Sequence, residues 1–234
     1  MLKYQTIANE IENYIETHQL QHGEKLPVLD QLMTQFNTSK TTIIKALDSL
    51  EKQGIVFQVR GSGIFVRRKK RADYISLLSN QGFKQELEQF NITSDIIEFN
   101  IQKPTHKIAQ NLHISLDQDI YYVKRVRHMD GKPFCIESSY YNKAYVTYLN
   151  NEIIQNSIFS YIQEGLGLKI GFSDFYMQMD KLTAFEATHL HLQENDPKLI
   201  VEQLFYLTNG VPFNYSEIHY HYQYAKFYVF STNH

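Results

Sequence analysis

The stretch NTSKTTIIKALDSLEKQGIVFQVRGSGIFV, residues 37–66, decides how this chain is read. Behind Thr38 and Ser39, the apolar residues Ile43, Ala46, Leu47 and Leu50 recur at helical spacing, and Ser39 is a good N-cap, so a helix starts here. Its buried stripe leaves Lys40, Thr41, Thr42 and Lys45 on or near the other face at the N-terminal end. After Gly54 the pattern switches to two β-rich runs, 55–59 and 64–66, joined by Arg60-Gly61-Ser62-Gly63, which predicts a hairpin with a basic, glycine-rich tip. Working outward, Tyr4, Ile7, Ala8, Ile11 and Ile15 form a first amphipathic stripe. Gly23 and Pro27 punctuate the loop after it, and Leu29, Leu32, Met33 and Phe36 mark a short second helix over 28–36. Any small helical domain with a hairpin would share some of these features. The order of helices, turn and hairpin is that of a winged helix-turn-helix, whose third helix meets base edges and phosphates with its N-terminal end. On this reading the DNA-contacting set is Ser39, Lys40, Thr41, Thr42 and Lys45 on the helix and Arg60, Gly61, Ser62 and Gly63 on the wing.

With 234 residues the chain has room for two ordinary domains, each with a core. Through Arg71 there are 11 Lys and Arg against 7 Asp and Glu, net +4; the remainder has 12 against 18, net −6, giving the whole-chain −2. A basic front part fits DNA and an acidic remainder repels it, although +4 is modest and supports the motif argument without replacing it. A basic run at residues 67–71 precedes a shift to aromatic and acidic composition and reads as a linker, either a solvated spacer or a phosphate contact beside the wing. The expected organisation is residues 1–68 as the DNA-binding domain, 69–80 as linker and 81–234 as a second domain that binds an effector and dimerises.

The single cysteine, Cys135, forbids an intramolecular disulfide and disfavours a metal cage. No apolar run approaches the ~20 residues needed to span a bilayer, and the N-terminus is an amphipathic helix with acids, so the expectation is a soluble, cytoplasmic protein without membrane contact.

Beyond the linker, Gly82-Phe83 opens a short helical pattern through Leu87 and Phe90. Residues 95–101 read as a strand, and Thr105 caps a helix covering Ile108, Ala109 and Leu112. Two β-rich runs, 120–129 and 134–142, flank the Asp130-Gly131 turn as an antiparallel hairpin. Residues 149–162 read as helix, 170–179 as strand and 184–192 as helix. A second hairpin spans 199–207 and 211–222 around Asn209-Gly210, with a last strand near 227–230. Hairpins interleaved with helices, without a βαβ rhythm, predict an α+β domain on an antiparallel sheet.

These residues carry a resemblance. The first seventy are similar to the DNA-binding domain of the GntR family of bacterial transcription regulators, through Tyr4, Ile7, Ala8, Gly23, Lys25, Leu26, Pro27, Leu32, Ser39, Thr42, Ile43, Ala46, Leu47, Leu50, Gly54 and residues 61–66. The chain departs from the family where Val28-Leu29-Asp30 replaces Ser-Glu-Arg after the loop proline, and where Ile44 replaces an arginine of the recognition helix. The remainder resembles the UTRA effector-binding domain of the family's HutC branch, which shares its fold with chorismate lyase. Its marks are Ala109, Leu112, Arg125 and Arg127 before residues 130–133, Glu137, Ser157 with Tyr161, the helix at 184–190, residues 209–212, Tyr215-Ser216 and Tyr220.

The resemblance implies a repressor that binds a pseudo-palindromic operator as a homodimer and is released by a small anionic metabolite, a sugar phosphate or an organic acid. Arg125 and Arg127 alternate along a strand and so project from one face. Whether they form an anion site or ordinary salt bridges the spacing alone leaves open. The family relation implies the former, with Glu137, Ser157, the Gly82-Phe83 backbone and Tyr220 completing the pocket. His189 and His191 diverge on a helix, and His219 and His221 have strand spacing but no acidic or thiolate companion identifiable from sequence, so no metal and no cofactor is expected. An enzyme of lyase type on the second fold is the rival reading, as is a regulator without a small-molecule ligand. No nucleophile and base stand at convincing spacing.

Overall fold

The computed structural model describes residues 3–67, 74–76 and 90–229. They divide into two compact units, Met1–Tyr74 with Tyr228–His234, and Ile75–Phe227.

In the first unit, α1 (Lys3–Thr17) buries Ile7, Ala8, Ile11 and Ile15 against α3 (Lys40–Lys52), which contributes Ile43, Ala46, Leu47 and Leu50. The short α2 (Leu29–Gln35) adds Leu32. Ser39 caps α3, its Oγ accepting from the Thr42 amide at 3.4 Å. Strands β1 (Val56–Val59) and β2 (Gly63–Val66) pair antiparallel, with Val59 opposite Gly63 and Gly61 at φ +78° in the turn. Their inward residues Val56, Ile64 and Val66 close the core. Glu51 of α3 holds the hairpin by accepting from the Gln58 amide (3.1 Å) and side chain (2.8 Å).

The second unit is built on a six-stranded, wholly antiparallel sheet in the order β4-β5-β6-β9-β8-β7. Its strands are β4 (Ile92–Gln102), β5 (Ile120–Met129), β6 (Lys132–Asn142), β7 (Ile170–Lys181), β8 (Pro197–Leu207) and β9 (Pro212–His221). Short β3 (Ile75–Ser76) and β10 (Phe227–Tyr228) form a separate ribbon. Helices α4 (His106–Leu112) and α7 (Ala184–Leu190), capped by Thr105 and Thr183, lie over one face of the sheet. The other face is covered at one end by α5 (Asn151–Gln155), α6 (Ile158–Ser160) and a π-helical turn (Tyr161–Gly165), and at the opposite end by an apolar cluster with Ile75 and Phe227.

The expected α+β architecture is the observed one, with local differences. Residues 149–162 do not form one helix: Asn156 leaves the helical region at φ −88°, ψ −122°, and Ser157 caps a new turn, so a polar pair divides the segment. Strand β4 begins three residues earlier than its apolar pattern, because Thr93 and Asp95 point outward along an alternating edge. Helix α7 stops at Leu190, where His191 takes a left-handed φ of 55°. The expected helix at Gly82-Phe83 lies outside the described residues, as does Phe230 of the expected last strand.

Candidate functional site

On the first unit, the buried stripe of α3 leaves Lys40, Thr41, Ile44 and Lys45 exposed as one outward face. Thr42 is half-buried, and its hydroxyl meets that of Ser39 at 2.9 Å, so these two shape the helix start while the lysines project. Ile44, at 40% exposure, is an apolar side chain set between cations. Asp30 is exposed in the first turn of α2, where a carboxylate is favoured by the helix dipole. Arg60, Gly61 and Ser62 are exposed at the wing tip, with Gly63 half-buried beside them.

On the second unit, the middle of the sheet holds a buried charge cluster between the two apolar ends. Register places Ile96, Arg125 and Glu137 side by side on β4, β5 and β6, with Ser94, Arg127 and Cys135 in the next row. Arg125 donates from Nη2 to both Glu137 oxygens (3.0 and 2.9 Å) and from Nη1 to the Ile154 carbonyl of α5 (2.6 Å). Arg127 Nε reaches Glu137 Oε2 at 2.6 Å, and its Nη1 lies 3.4 Å from Ser94 Oγ. A polar row continues across the sheet: Ser139 Oγ donates to Glu137 Oε1 (2.7 Å) and meets Ser216 Oγ (2.8 Å), which lies 3.1 Å from Asn214 Oδ1. Arg125 Nε and the Tyr141 hydroxyl are buried with no partner among the described residues.

Burial alone would raise the Glu137 carboxyl. The two guanidiniums and the Ser139 hydroxyl outweigh it and hold the group at about 2. Burial opposes charge on both arginines. Glu137 more than offsets this for Arg127, but not for Arg125, which is more deeply buried and also feels the positive charge of Arg127. Glu137 thus bridges two buried guanidiniums, in surroundings where a buried charge needs a partner.

The sequence-derived pocket residues therefore divide. Arg125, Arg127 and Glu137 are brought into direct contact, and they are neither surface salt bridges nor a bare anion floor, because Glu137 already spans both guanidiniums. Ser157 is spent on capping α6, its Oγ accepting from the Ser160 amide at 3.2 Å. Tyr220 is buried on the same face but in the apolar end, edge-on to Phe134 (5.2 Å between centroids) and Phe227 (4.8 Å), and opposite Cys135. Gly82 and Phe83 lie outside the described residues. Ser139, Asn214 and Tyr141 were missed as site residues. Their signal was present as polar groups at alternate, inward positions of two strands, in Glu137-x-Ser139-x-Tyr141 and Asn214-x-Ser216.

On the opposite face, a chain of charges links the two covering helices. Lys198 Nζ contacts both oxygens of Glu186 at 2.8 Å, Glu186 meets His219, and His219 Nε2 stands 2.9 Å from Glu217. Glu217 and Glu202 share Lys107 at 3.1 and 3.2 Å, and the Tyr215 hydroxyl donates to Glu202 at 2.6 Å. His219, one of the histidines at suggestive spacing, is thus taken up by two carboxylates.

Comparison with known proteins is consistent with this division. Residues 3–66 match the family model of bacterial regulatory proteins, gntR family, and residues 88–226 match the UTRA domain. The chain is 61% identical to the HTH-type transcriptional regulator YydK of Bacillus subtilis strain 168, over 98% of this chain and 97% of that protein. The crystal structure of YydK superposes with a TM-score of 0.89 at 59% identity, covering 99% of this chain and all of that one. The HTH-type transcriptional regulator TreR of the same organism is 30% identical over 92% of this chain and 91% of its own length. The effector-binding domain of the B. subtilis trehalose repressor TreR matches 61% of this chain and 99% of its own at 27% identity and a TM-score of 0.55. Among the described residues no helix is long and apolar enough to cross a membrane. The fold and these relatives are those of transcription regulators and not of enzymes, and the chain belongs to the GntR family, with a UTRA domain following its helix-turn-helix domain.

Proposed function

We propose that this regulator is a repressor of the HutC branch that grips operator DNA with α3 and the wing as a homodimer, and releases it when a small hydroxylated anion enters the second unit. The observation that carries the reading is the buried Arg125–Glu137–Arg127 cluster: an Arg125 Nε and a Tyr141 hydroxyl without a hydrogen-bond partner among the described residues, beside a Ser139–Ser216 pair. An anionic group would accept from the free Arg125 Nε, and charge-assisted hydrogen bonds there are each worth about 1.5–3 kcal/mol. The hydroxyl row suits a sugar. The similar architecture of the effector-binding domain of a trehalose repressor favours a sugar derivative over an organic acid.

On the DNA side, Ser39, Lys40, Thr41, Thr42, Lys45 and wing residues Arg60, Gly61, Ser62 and Gly63 form the contact set. Ile44 stands where an arginine would otherwise read guanine, and an exposed apolar side chain in the major groove suits the thymine C5 methyl. Dimerisation is supported by the side chains exposed along the outer strand β7. Edge β4 is interrupted by a bulge at Ile96/Glu98 and carries Asp95 and Glu98, whereas β7 runs without interruption from Phe172 to Lys181 and exposes Tyr176, Met177 and Met179. A second copy adding to β7 would cover them.

The test is a thermal-shift screen of the full-length protein against sugar phosphates, neutral sugars and organic acids, followed by duplex binding with and without the hit. Stabilisation by a sugar phosphate and not by its dephosphorylated sugar is the expected result. Stabilisation by the neutral sugar alone would remove the anion from the reading, and absence of any hit would favour a regulator without a small-molecule ligand.

A further inference from the structure

The wing is not a two-stranded hairpin alone. Residues 23–26 run alongside β2, with the Gly23 amide donating to Val66 O (2.9 Å), Val66 to Glu24 O (2.8 Å) and Leu26 to Ile64 O (2.8 Å), and with Lys25 bridged to Phe65. This fixes the direction of each side chain. Leu26 turns inward at 2% exposure and Lys25 outward, on the side of the stacked Phe57 and Phe65 rings. The stem of Lys25 then crosses the strand at Gly63: a β-carbon at that position would stand 2.5 Å from Lys25 Cε and 3.2 Å from its Nζ. Gly63 also has a φ of +125°, so its lack of a side chain serves both the backbone and the passage of the lysine. Lys25 is exposed and forms no ion pair among the described residues.

We infer that Lys25 is a second phosphate-binding cation of the wing, delivered from the segment before α2 across Gly63 toward the tip that carries Arg60. The inference rests on the DNA-binding reading and adds to it a residue outside the recognition helix and hairpin. A surface ammonium held at a glycine-rich tip, without a neutralising carboxylate among the described residues, is matched by the backbone of a duplex. The alternative is that the lysine serves only through its aliphatic stem, packed on the wing.

Salt titration of full-length protein with a random-sequence 30-base-pair duplex separates these. Lys25→Met keeps the stem and removes the charge, Lys25→Arg keeps both, and Arg60→Ala serves as the reference. Loss of one phosphate contact lowers the slope of log K against log salt by about 0.9. The expected result is that decrease for Lys25→Met, a wild-type slope for Lys25→Arg, and about twice the decrease when Lys25→Met is combined with Arg60→Ala. Lys25 is exposed, so melting of Lys25→Met should match wild type. A wild-type slope for Lys25→Met, with Arg60→Ala lowered, overturns this inference alone. A wild-type protein that does not bind duplex DNA, or binds it without salt dependence, overturns the DNA-binding reading and this inference together.

Discussion

Glu137 is the residue on which the second unit's polar interior depends. It neutralises two guanidiniums at once and accepts from Ser139, so its removal leaves two like charges buried side by side. Breaking a buried pair by deleting one partner costs about 3–5 kcal/mol. Glu137→Ala should lower stability by at least that order in urea unfolding, and Glu137→Gln, which restores a hydrogen-bond acceptor but no charge, should remain well below wild type. Wild-type stability for Glu137→Gln would mean that the arginines find another counter-charge. The same geometry makes Arg125→Ala a poor probe of ligand binding, because Arg125 is 1% exposed and also ties β5 to α5 through Ile154. Arg127, nearer the surface, is the residue to vary. In the first unit, Ile44 makes a chemical prediction: replacing thymine by deoxyuridine in a selected duplex removes the C5 methyl and should weaken wild-type binding more than that of Ile44→Ala. Equal loss in both would take Ile44 out of the base-reading set. Asp30 gives a further one. If α2 approaches the backbone, Asp30→Asn should tighten binding to any duplex by removing a like charge, and unchanged or weaker binding in the same assay would place α2 away from phosphate.

At the scale of elements, α7 and α4 are joined through the charge chain beneath them. Burial would raise the Glu186 carboxyl, but Lys198, the Thr183 amide and His219 hold it at about 2, and His219 and Lys107 hold Glu217 there against partial burial. Both folded values lie below the ordinary glutamate range. Their contribution is therefore present above pH ~4.5 and is lost as pH falls toward 2. The melting temperature should fall across that window, and Glu186→Gln should flatten the fall while lowering the neutral-pH plateau; an unchanged pH profile for Glu186→Gln would contradict the assignment.

Elements also show what the sequence could and could not reveal. Helices α1 and α3, the wing and both long hairpins follow from spacing and turn residues, since each is specified by its own periodic stripe or its Gly-containing turn. The break at Asn156-Ser157 was legible only as a polar pair inside an apolar run, and sheet order depends on pairings between residues far apart in the chain. Arg125 and Arg127 could be placed on one face from alternation alone. That Glu137 sits directly opposite Arg125 required the register of β6, and that Lys25 crosses Gly63 required the bridge of residues 23–26 to β2, which no local pattern announces.

At the scale of the molecule, the charge is basic in the N-terminal part and acidic in the remainder, and each unit has its own core. A ligand releases DNA only if it binds the DNA-free arrangement better than the DNA-bound one; equal affinity for both would shift nothing. The most direct measurement is fluorescence anisotropy of a duplex selected by the full-length protein from a random library, titrated with the sugar phosphate found by thermal shift, for wild type and for Arg127→Gln. The account predicts that the ligand weakens wild-type DNA binding at least about tenfold, which is ~1.4 kcal/mol of coupling, while Arg127→Gln binds the duplex normally and ignores the ligand. Full ligand response in Arg127→Gln, or a ligand that binds wild type without loosening its hold on DNA, would contradict it.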